Sequence, residues 1–240
     1  MITAPDSLLL APTRARARRW IALAAGVMVL NAAGLVAVIA VGLSLSAPEP
    51  ATVGVAPDDL HAEPVTISSD SGAKLRGWFI AGQPGAGALV LLHGVRSNRL
   101  AMLRRARLLK AAGFSVLLFD FQAHGESTGT RITFGRLEGL DAAAAVAFVR
   151  QRLPGERLGA IGTSLGGAAA LLGPGPLPVD ALVLEAVYSD IGTAIDNRIR
   201  AVLGPAVGGL VAQPMADLFE LLLPPSSASA RPTFARLTIS

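Results

Sequence analysis

The stretch AIGTSLGGAAALLG, from Ala160 to Gly173, carries the clearest motif of the chain. Its centre fits the pattern G-x-S-x-G, with Ser164 between Gly162 and Gly166. The run RLGAIGT before the serine predicts a buried strand, and the alanine-rich run after it predicts a helix. A serine at such a turn stands at the edge of the sheet, at a helix N-terminus whose dipole favours negative charge. The pattern predicts the position of a nucleophile; the alternative is an incidental turn in a glycine-rich chain.

Strands and helices alternate along the chain from Glu63 onward. PVTISSDSGAKLRGWFIAG predicts two short strands joined by a turn at residues 68–72. ALVLLHG is a continuous apolar run typical of a buried parallel strand, and FSVLLFDFQAHGES and DALVLEAVYSD predict two more strands. Because strands and helices alternate, we expect an α/β fold with a mostly parallel sheet and helices on both faces.

Two helices carry a clear apolar periodicity. The residues expected on their buried faces are Leu100, Leu103, Ala106 and Leu109 in one and Leu137, Leu140, Ala144 and Phe148 in the other. Ser97 is expected to cap the first helix and Gly113 to end it. The basic residues of this helix are expected mostly on its solvated sides, with contact to anionic lipid headgroups as the alternative. They are Arg99, Arg104, Arg105, Arg107 and Lys110.

Composition limits the possible chemistry. The 240 residues contain no Cys, which excludes disulfides, thiol catalysis and cysteine-based metal sites. Only three His are present, His61, His93 and His124, so we expect neither a metal site nor a cofactor. The chain is 52% hydrophobic with a mean hydropathy of +0.53, which is high for a soluble domain and indicates a membrane segment.

A basic run precedes a long apolar run near the N-terminus. TRARARRW holds Arg14, Arg16, Arg18 and Arg19, which together account for the whole net charge of +4. The folded part is therefore neutral, and no nucleic-acid partner is expected. Residues 21–43 carry no charge and would span roughly 34 Å as a helix, enough to cross a bilayer.

Arginines on the N-terminal side of the apolar run predict a cytoplasmic N-terminus and an extracytoplasmic domain, with the lipid bilayer as a partner. The alternatives are a cleaved signal peptide, for which SLSA offers small residues, and a buried core helix. We expect a basic tail at 1–19, a transmembrane signal anchor at 20–45, a linker at 46–62, the α/β domain at 63–222 and a disordered tail at 223–240.

Five segments together resemble the serine α/β-hydrolases, in particular bacterial members with an N-terminal membrane anchor. They are LVLLHGVRSNR, GFSVLLFDFQAHGES, ITFGRLEGLDAAAAVAFV, IGTSLGG and ALVLEAVYSD. The resemblance implies the α/β-hydrolase fold, with Ser164 as nucleophile and the backbone N–H groups of Val95 and Leu165 as oxyanion donors. His93 and Gly94 would shape the oxyanion loop, and Gly162 and Gly166 the nucleophile turn. The reaction implied is cleavage of a small-molecule ester or related acyl bond through an acyl-serine intermediate.

The sequence departs from this family after the nucleophile. The triad order is Ser, acid, His, yet both His93 and His124 precede Ser164 and no His follows it. We expect His93 to shape its loop and His124 to stabilise a turn, with His124 as a displaced general base the alternative. The aspartates after Ser164 end no buried strand and are expected to be caps or surface residues: Asp180, Asp190, Asp196 and Asp217. Gln122 stands where many relatives have Arg.

These departures predict a chain that lacks the family's C-terminal strands and is weakly active or inactive. The hypothesis is a truncated or frame-shifted serine hydrolase. The alternatives are a non-catalytic, membrane-anchored binding module and a non-functional fragment with the same fold.

Overall fold

A computed structural model of the chain describes residues 14–173, 175, 177–187, 200 and 204. The predictions for Asp190, Asp196 and Asp217 and for the tail at 223–240 fall outside these residues. The chain divides into two compact units, Met1–Ser44 and Leu45–Ser240.

One long helix, α1 at Arg14–Leu45, forms the described part of the first unit and ends on the first residue of the second. Its segment Arg16–Val36 has a mean hydropathy of 1.6, and none of it is buried, so it is long and apolar enough to cross a membrane. The amide of Asn31 donates to the Val27 carbonyl at 2.7 Å, which satisfies the polar group inside the helix itself. The exposure of its side chains argues against a buried core helix, whereas an anchor and a signal peptide both fit the same length.

The second unit is built on a six-stranded sheet. The strands are β1 at Glu49–Pro50, β2 at Glu63–Ser68, β3 at Lys74–Ile80, β4 at Ala88–Leu92, β5 at Ser115–Phe119, β6 at His124–Gly125, β7 at Leu158–Thr163 and β8 at Ala181–Glu185. The main sheet has the order β2-β3-β5-β4-β7-β8. β3 pairs antiparallel with β2 and β5, and all other neighbours are parallel. The predicted hairpin and the predicted parallel strands are both confirmed.

Helices cover both faces of this sheet and bury a separate core on each. The helices are α2 at Leu103–Ala111, α3 at Arg136–Arg152 and α4 at Leu165–Leu172, with short 3-10 helices at Asp58–Leu60 and Arg99–Met102. On one face α3 and α4 pack against side chains that include Phe79, Leu92 and Phe119. On the other face Met102 and Ala106, at and after the second 3-10 helix, pack with Trp78 and Leu91.

The buried face of α3 is offset by one residue from the predicted one. Leu137, Leu140, Ala144 and Phe148 are only half-buried. The fully buried residues are Glu138, Gly139, Asp141, Ala142, Ala145, Val146 and Val149. Two of these are acidic side chains whose hydrogen bonds to neighbouring loops allow them to face inward, and apolar periodicity cannot register such residues.

The start of α2 also differs from the prediction. The cap is Asn98 rather than Ser97, because the Asn98 side chain accepts the Leu100 N–H at 3.0 Å. A 3-10 turn precedes the α-helix and leaves Leu100 exposed and Met102 buried. Ala106 is buried, and Leu103 and Leu109 pack against the same core, as the periodicity predicts. Arg99, expected on a solvated side, is only 2% exposed.

The segment expected to be a linker, 46–62, is ordered within the second unit. β1 pairs with β6, and the Glu49 and Ala51 N–H groups donate to the Ala123 and Gly125 carbonyls at 2.7 and 2.9 Å. Leu60 is fully buried in the core under α2. His61 is exposed, as expected. The composition resembles that of a linker because this segment is held by backbone bonds, which leave no pattern in the side chains.

Candidate active site

Ser164 lies between β7 and α4, in the strand–turn–helix context that the sequence predicts. Its backbone has φ 50 and ψ −111, a conformation that side chains with a Cβ rarely adopt. The flanking glycines are required by close packing. A Cβ at Gly166 would lie 2.2 Å from the Leu92 carbonyl oxygen, and one at Gly162 would lie 2.7 Å from the Gly167 nitrogen.

The loop after β4 passes beside this serine. A Cβ on Gly94 would be 3.8 Å from the Ser164 Cβ, so the backbone approaches the nucleophile turn closely. Val95 follows and is 36% exposed. Leu165 is the first residue of α4, and its backbone N–H therefore has no acceptor within the helix. The structure brings the predicted oxyanion loop and the helix N-terminus to the same edge of the sheet; their role as donors stays a prediction.

His93 and His124 are both fully buried, and both ring nitrogens of each are engaged by backbone groups. The His93 Nδ1 contacts the Gly94 carbonyl oxygen at 2.7 Å, and its Nε2 accepts the Phe121 N–H at 3.1 Å. The His124 Nδ1 contacts the Gln122 carbonyl oxygen at 2.9 Å, and its Nε2 accepts the Arg96 N–H at 3.3 Å. Because a carbonyl can only accept and a backbone N–H can only donate, each Nδ1 acts as a donor and each Nε2 as an acceptor.

Burial lowers the pKa of His93 to about 3, with the nearby His124 adding to the effect. A neutral ring whose Nε2 already accepts a backbone N–H has no lone pair left for a serine hydroxyl. The geometry therefore favours the expected structural roles of the two histidines and argues against His124 as a displaced general base.

A buried ion-pair cluster joins residues that follow β4, β5 and β6. The Arg99 guanidinium forms ion pairs with Asp120 and Glu126 and lies 4.4 Å from the centre of the Trp78 ring. Asp120 also accepts the backbone N–H groups of Arg99 at 2.7 Å and Glu126 at 3.0 Å. The cluster ties the start of the second 3-10 helix to the end of β5 and to the turn after β6.

The two carboxyl groups of this cluster respond differently to their surroundings. Burial raises the pKa of Asp120. Arg99, followed by the backbone N–H groups of Gly54 and Val53, lowers the pKa of the more exposed Glu126 to about 2. The sequence does not predict this cluster, because Arg99 belongs to a run of basic residues that is typical of a solvated helix face.

A second buried acidic cluster joins α3 to the turn after β5. Asp141 accepts from the Ser71 hydroxyl at 2.6 Å and the Gln122 N–H at 2.8 Å, and burial raises its pKa to about 6. Glu138 accepts the Gly135 N–H at 2.8 Å and the Gln122 side-chain amide at 3.0 Å. Gln122, which departs from the family pattern, is thus fully used in holding this turn.

Glu185 is a strand-end carboxylate that the sequence did not single out. It ends β8 beside the nucleophile turn, and its backbone carbonyl accepts the Ser164 N–H at 2.9 Å. Its carboxylate accepts from the Thr163 hydroxyl at 3.0 Å and forms an ion pair with Arg105. Its position at the end of the apolar run ALVLE is the signal in the sequence that could have identified it.

Asp180 lies before β8, at the opposite end of the sheet from Ser164. It accepts the Leu158 N–H at 2.7 Å and pairs with Arg150 at 3.1 Å, which lowers its pKa. This arrangement fits the expected capping role. Across the described ranges, no three His, Asp or Glu side chains are grouped so that they could hold a metal ion.

Comparison with protein families gives a match that includes the candidate nucleophile. The model of the family described as serine aminopeptidase, S33, matches residues 83–221, which is more than half of the chain. That range contains the loop after β4, the nucleophile turn and β8.

Individual relatives agree with this match. The uncharacterized protein YfhR of Escherichia coli O157:H7 is 29% identical over 60% of this chain and 53% of its own length. Human protein ABHD12B is 32% identical over 57% of this chain and 40% of its own. The chain thus spans about half the length of the curated relatives it matches, or less.

Among solved structures, the Pyrococcus furiosus esterase Pf2001 is 30% identical, with a TM-score of 0.57, covering 75% of this chain and 71% of the esterase. The likeness includes the mostly parallel sheet with helices on both faces. The fold class expected from the sequence, an α/β-hydrolase fold, is confirmed.

Proposed function

The chain belongs to the serine aminopeptidase S33 family of α/β-hydrolases, and we propose that it is a serine hydrolase with Ser164 as its nucleophile. The bond attacked is a carboxylic ester or a related acyl bond of a small molecule, through an acyl-serine intermediate. The backbone N–H groups of Val95 and Leu165 stabilise the oxyanion. The solved relative that is described as an esterase supports this substrate class.

The observation that carries the proposal is the backbone of Ser164. A serine held at φ 50 between a strand and a helix, with glycines that permit close packing on both sides, stores strain that a mere turn does not need. Neighbouring Gly94 brings a second backbone segment to the same point. Together they supply a nucleophile and nearby N–H donors, which is the arrangement that acyl transfer requires.

Neither buried histidine is free to act as the base for Ser164. No His follows Ser164 in these 240 residues, and the Nε2 atoms of His93 and His124 both accept backbone N–H groups. Serine hydrolases without triad members retain roughly 10³–10⁴-fold acceleration over water. We therefore expect this chain to acylate slowly.

Labelling with a fluorophosphonate probe tests the proposal. The full chain in detergent should be labelled slowly at Ser164, and labelling should vanish in Ser164→Ala but persist in Ser97→Ala, a half-buried serine of the neighbouring loop. Added imidazole should accelerate labelling, because it can act as a general base towards the Ser164 hydroxyl. A folded chain that stays unlabelled in the presence of imidazole would contradict the proposed activity.

A non-catalytic binding module is the second candidate, favoured by the full engagement of both buried histidines. The same site would then hold an acyl compound without cleaving it. This candidate predicts that a substrate-like ester raises the melting temperature while Ser164 stays unlabelled.

We also propose that α1 anchors the chain in a membrane, with the N-terminus in the cytoplasm and the hydrolase domain outside it. The support is the exposed apolar segment Arg16–Val36 and the arginines at its N-terminal end.

A further inference from the structure

The two buried histidines cross-link two loops reciprocally. His93 belongs to the loop after β4, and its Nε2 accepts the N–H of Phe121 in the loop after β5. His124 begins β6, just after that loop, and its Nε2 accepts the N–H of Arg96 in the loop after β4. The rings meet edge to face, with centroids 5.2 Å apart and planes at 68°. We call this pair, His93 with His124, the histidine clip.

The clip fixes the peptide groups on both sides of Val95. The His93 Nδ1–H donates to the carbonyl of Gly94, at 2.7 Å, and this carbonyl shares a peptide plane with the Val95 N–H. No peptide bond in the described residues is cis, so that N–H points away from the anchored carbonyl in a fixed direction. The next peptide contributes the Arg96 N–H, which His124 holds at 3.3 Å.

We propose that His93 and His124 are a pair of positioning residues. By anchoring the peptide groups on either side of Val95, they direct the Val95 N–H towards the oxyanion. The inference rests on the proposed function, because it assigns a purpose to the oxyanion loop of the same site. Neither ring takes part in proton transfer. Each acts through the backbone that it holds.

The backbone conformation at Arg96 shows why such an anchor is needed. Arg96 has φ 52, in the left-handed region that favours glycine. A residue other than glycine is held there only when its surroundings oppose relaxation. The hydrogen bond from its N–H to His124, together with the ion pair from its side chain to Glu49 at 2.7 Å, supplies that opposition.

Two matched substitutions at His124 distinguish the role of its Nε2 atom from that of its Nδ1 atom. In His124→Gln, the amide oxygen reaches the position of Nε2 and can still accept the Arg96 N–H. In His124→Asn, the shorter amide reaches only the position of Nδ1 and loses that bond. Removal of one oxyanion donor costs roughly 10²–10³-fold in rate. We expect Asn to slow fluorophosphonate labelling of Ser164 by about 10- to 100-fold, and Gln by only a few fold.

Amide hydrogen exchange in the same two variants gives a readout that does not depend on activity. The Arg96 amide should exchange faster in His124→Asn than in His124→Gln, while amides of the β4 strand stay protected in both. Equal labelling rates and equal exchange in the two variants would overturn the inference.

Nitrogen-15 NMR of the unmutated chain completes the test and works even if a variant does not fold. The sequence has three histidines, so exposed His61 serves as the internal reference. His93 and His124 should both show protonated Nδ1 and unprotonated Nε2. A protonated Nε2 on either ring would overturn the inference. A chain with the expected tautomers whose Ser164 is never labelled would instead contradict the proposed function.

Discussion

Ser164 carries strain in its own backbone, and the strain follows from where the nucleophile must stand. With φ 50 and ψ −111, the residue turns the chain sharply between β7 and α4. Such a conformation costs of order 1–3 kcal/mol for a residue with a Cβ. The close packing at Gly162 and Gly166 and the hydrogen bond from the Ser164 N–H to the Glu185 carbonyl oppose its relaxation.

This strain predicts an unusual ranking of two substitutions. Ser164→Gly should be more stable than Ser164→Ala by about 1 kcal/mol, because glycine tolerates positive φ although it loses more entropy on folding. Urea unfolding of both variants measures the difference. Ala147→Gly, on an exposed position of α3, should show the opposite sign, with glycine less stable by about 1 kcal/mol. A Ser164→Gly variant no more stable than Ser164→Ala would contradict the strain.

His93 predicts acid sensitivity of the fold. Its pKa falls from 6.5 when unfolded to about 3 when folded, so the folded state binds fewer protons between these values. Stability from this group is complete above pH 6.5 and is lost as the pH falls toward 3. Melting temperatures of His93→Asn should therefore depend less on pH in this range than those of the unmutated chain. His61→Asn, on an exposed residue, is the control and should leave the slope unchanged.

Asp141 has the opposite effect on the pH dependence of stability. Its pKa rises from 3.8 to about 6 on folding, so its contribution to stability falls as the pH rises from 3.8 to 6. Asp141→Asn removes this gain on acidification and should steepen the acid loss of stability. If stability depends on pH in His93→Asn and in Asp141→Asn as it does in the unmutated chain, the pKa shifts of these two buried groups are contradicted.

At the scale of elements, the sequence predicts strands better than helix faces. The apolar runs of β4, β5 and β7 identify buried strands because the whole run is enclosed. The face of α3 is offset because Glu138 and Asp141 are buried through hydrogen bonds to distant loops. Such partners are set by tertiary packing, which a local period cannot reveal.

In the candidate site too, features set by local sequence are predicted and those set by tertiary contacts are not. Ser164 could be located because a local motif and its flanking elements suffice. The partners of the loop at 93–96 could not, since the hydrogen bonds that the Phe121 N–H donates to His93 and the Arg96 N–H donates to His124 each join residues 28 apart in sequence. The burial of Arg99 escaped prediction for the same reason, because Asp120 and Glu126 lie on other elements.

The ion-pair cluster of Arg99 predicts a large effect of a single change. Arg99→Met should destabilise the fold by roughly 3–5 kcal/mol, because it leaves Asp120 buried without its cation. Urea unfolding measures this loss. Arg104→Met, at an exposed position of α2, should change stability by less than about 0.5 kcal/mol. Arg99→Met with Asp120→Asn should recover part of the loss, and equal effects of Arg99→Met and Arg104→Met would contradict the cluster.

For the molecule as a whole, α1 predicts how the chain fractionates in cells. The full chain should stay in the membrane pellet after a carbonate wash and dissolve only in detergent, because its apolar segment is fully exposed. An intact mass of 24.5 kDa identifies an uncleaved anchor, whereas loss of the N-terminal segment identifies a signal peptide.

One substitution sharpens this prediction. Val29→Arg places a charge near the middle of the segment, at a cost of roughly 2.5–3.5 kcal/mol on insertion scales, and should reduce membrane retention. Val55→Arg, on a residue that is 90% exposed, should not. Retention that is equally weak in the unmutated chain would contradict the anchor.

The pairing of β1 with β6 has a mechanical consequence. The chain after Ser46 is joined to the turn after β5 by hydrogen bonds from Glu49 to Ala123 and from Ala51 to Gly125. A pull along β1 would load these bonds in shear, side by side, so that they share the force. Tension on the residues that follow α1 would thus reach the turn that carries His124 before it reached the main sheet.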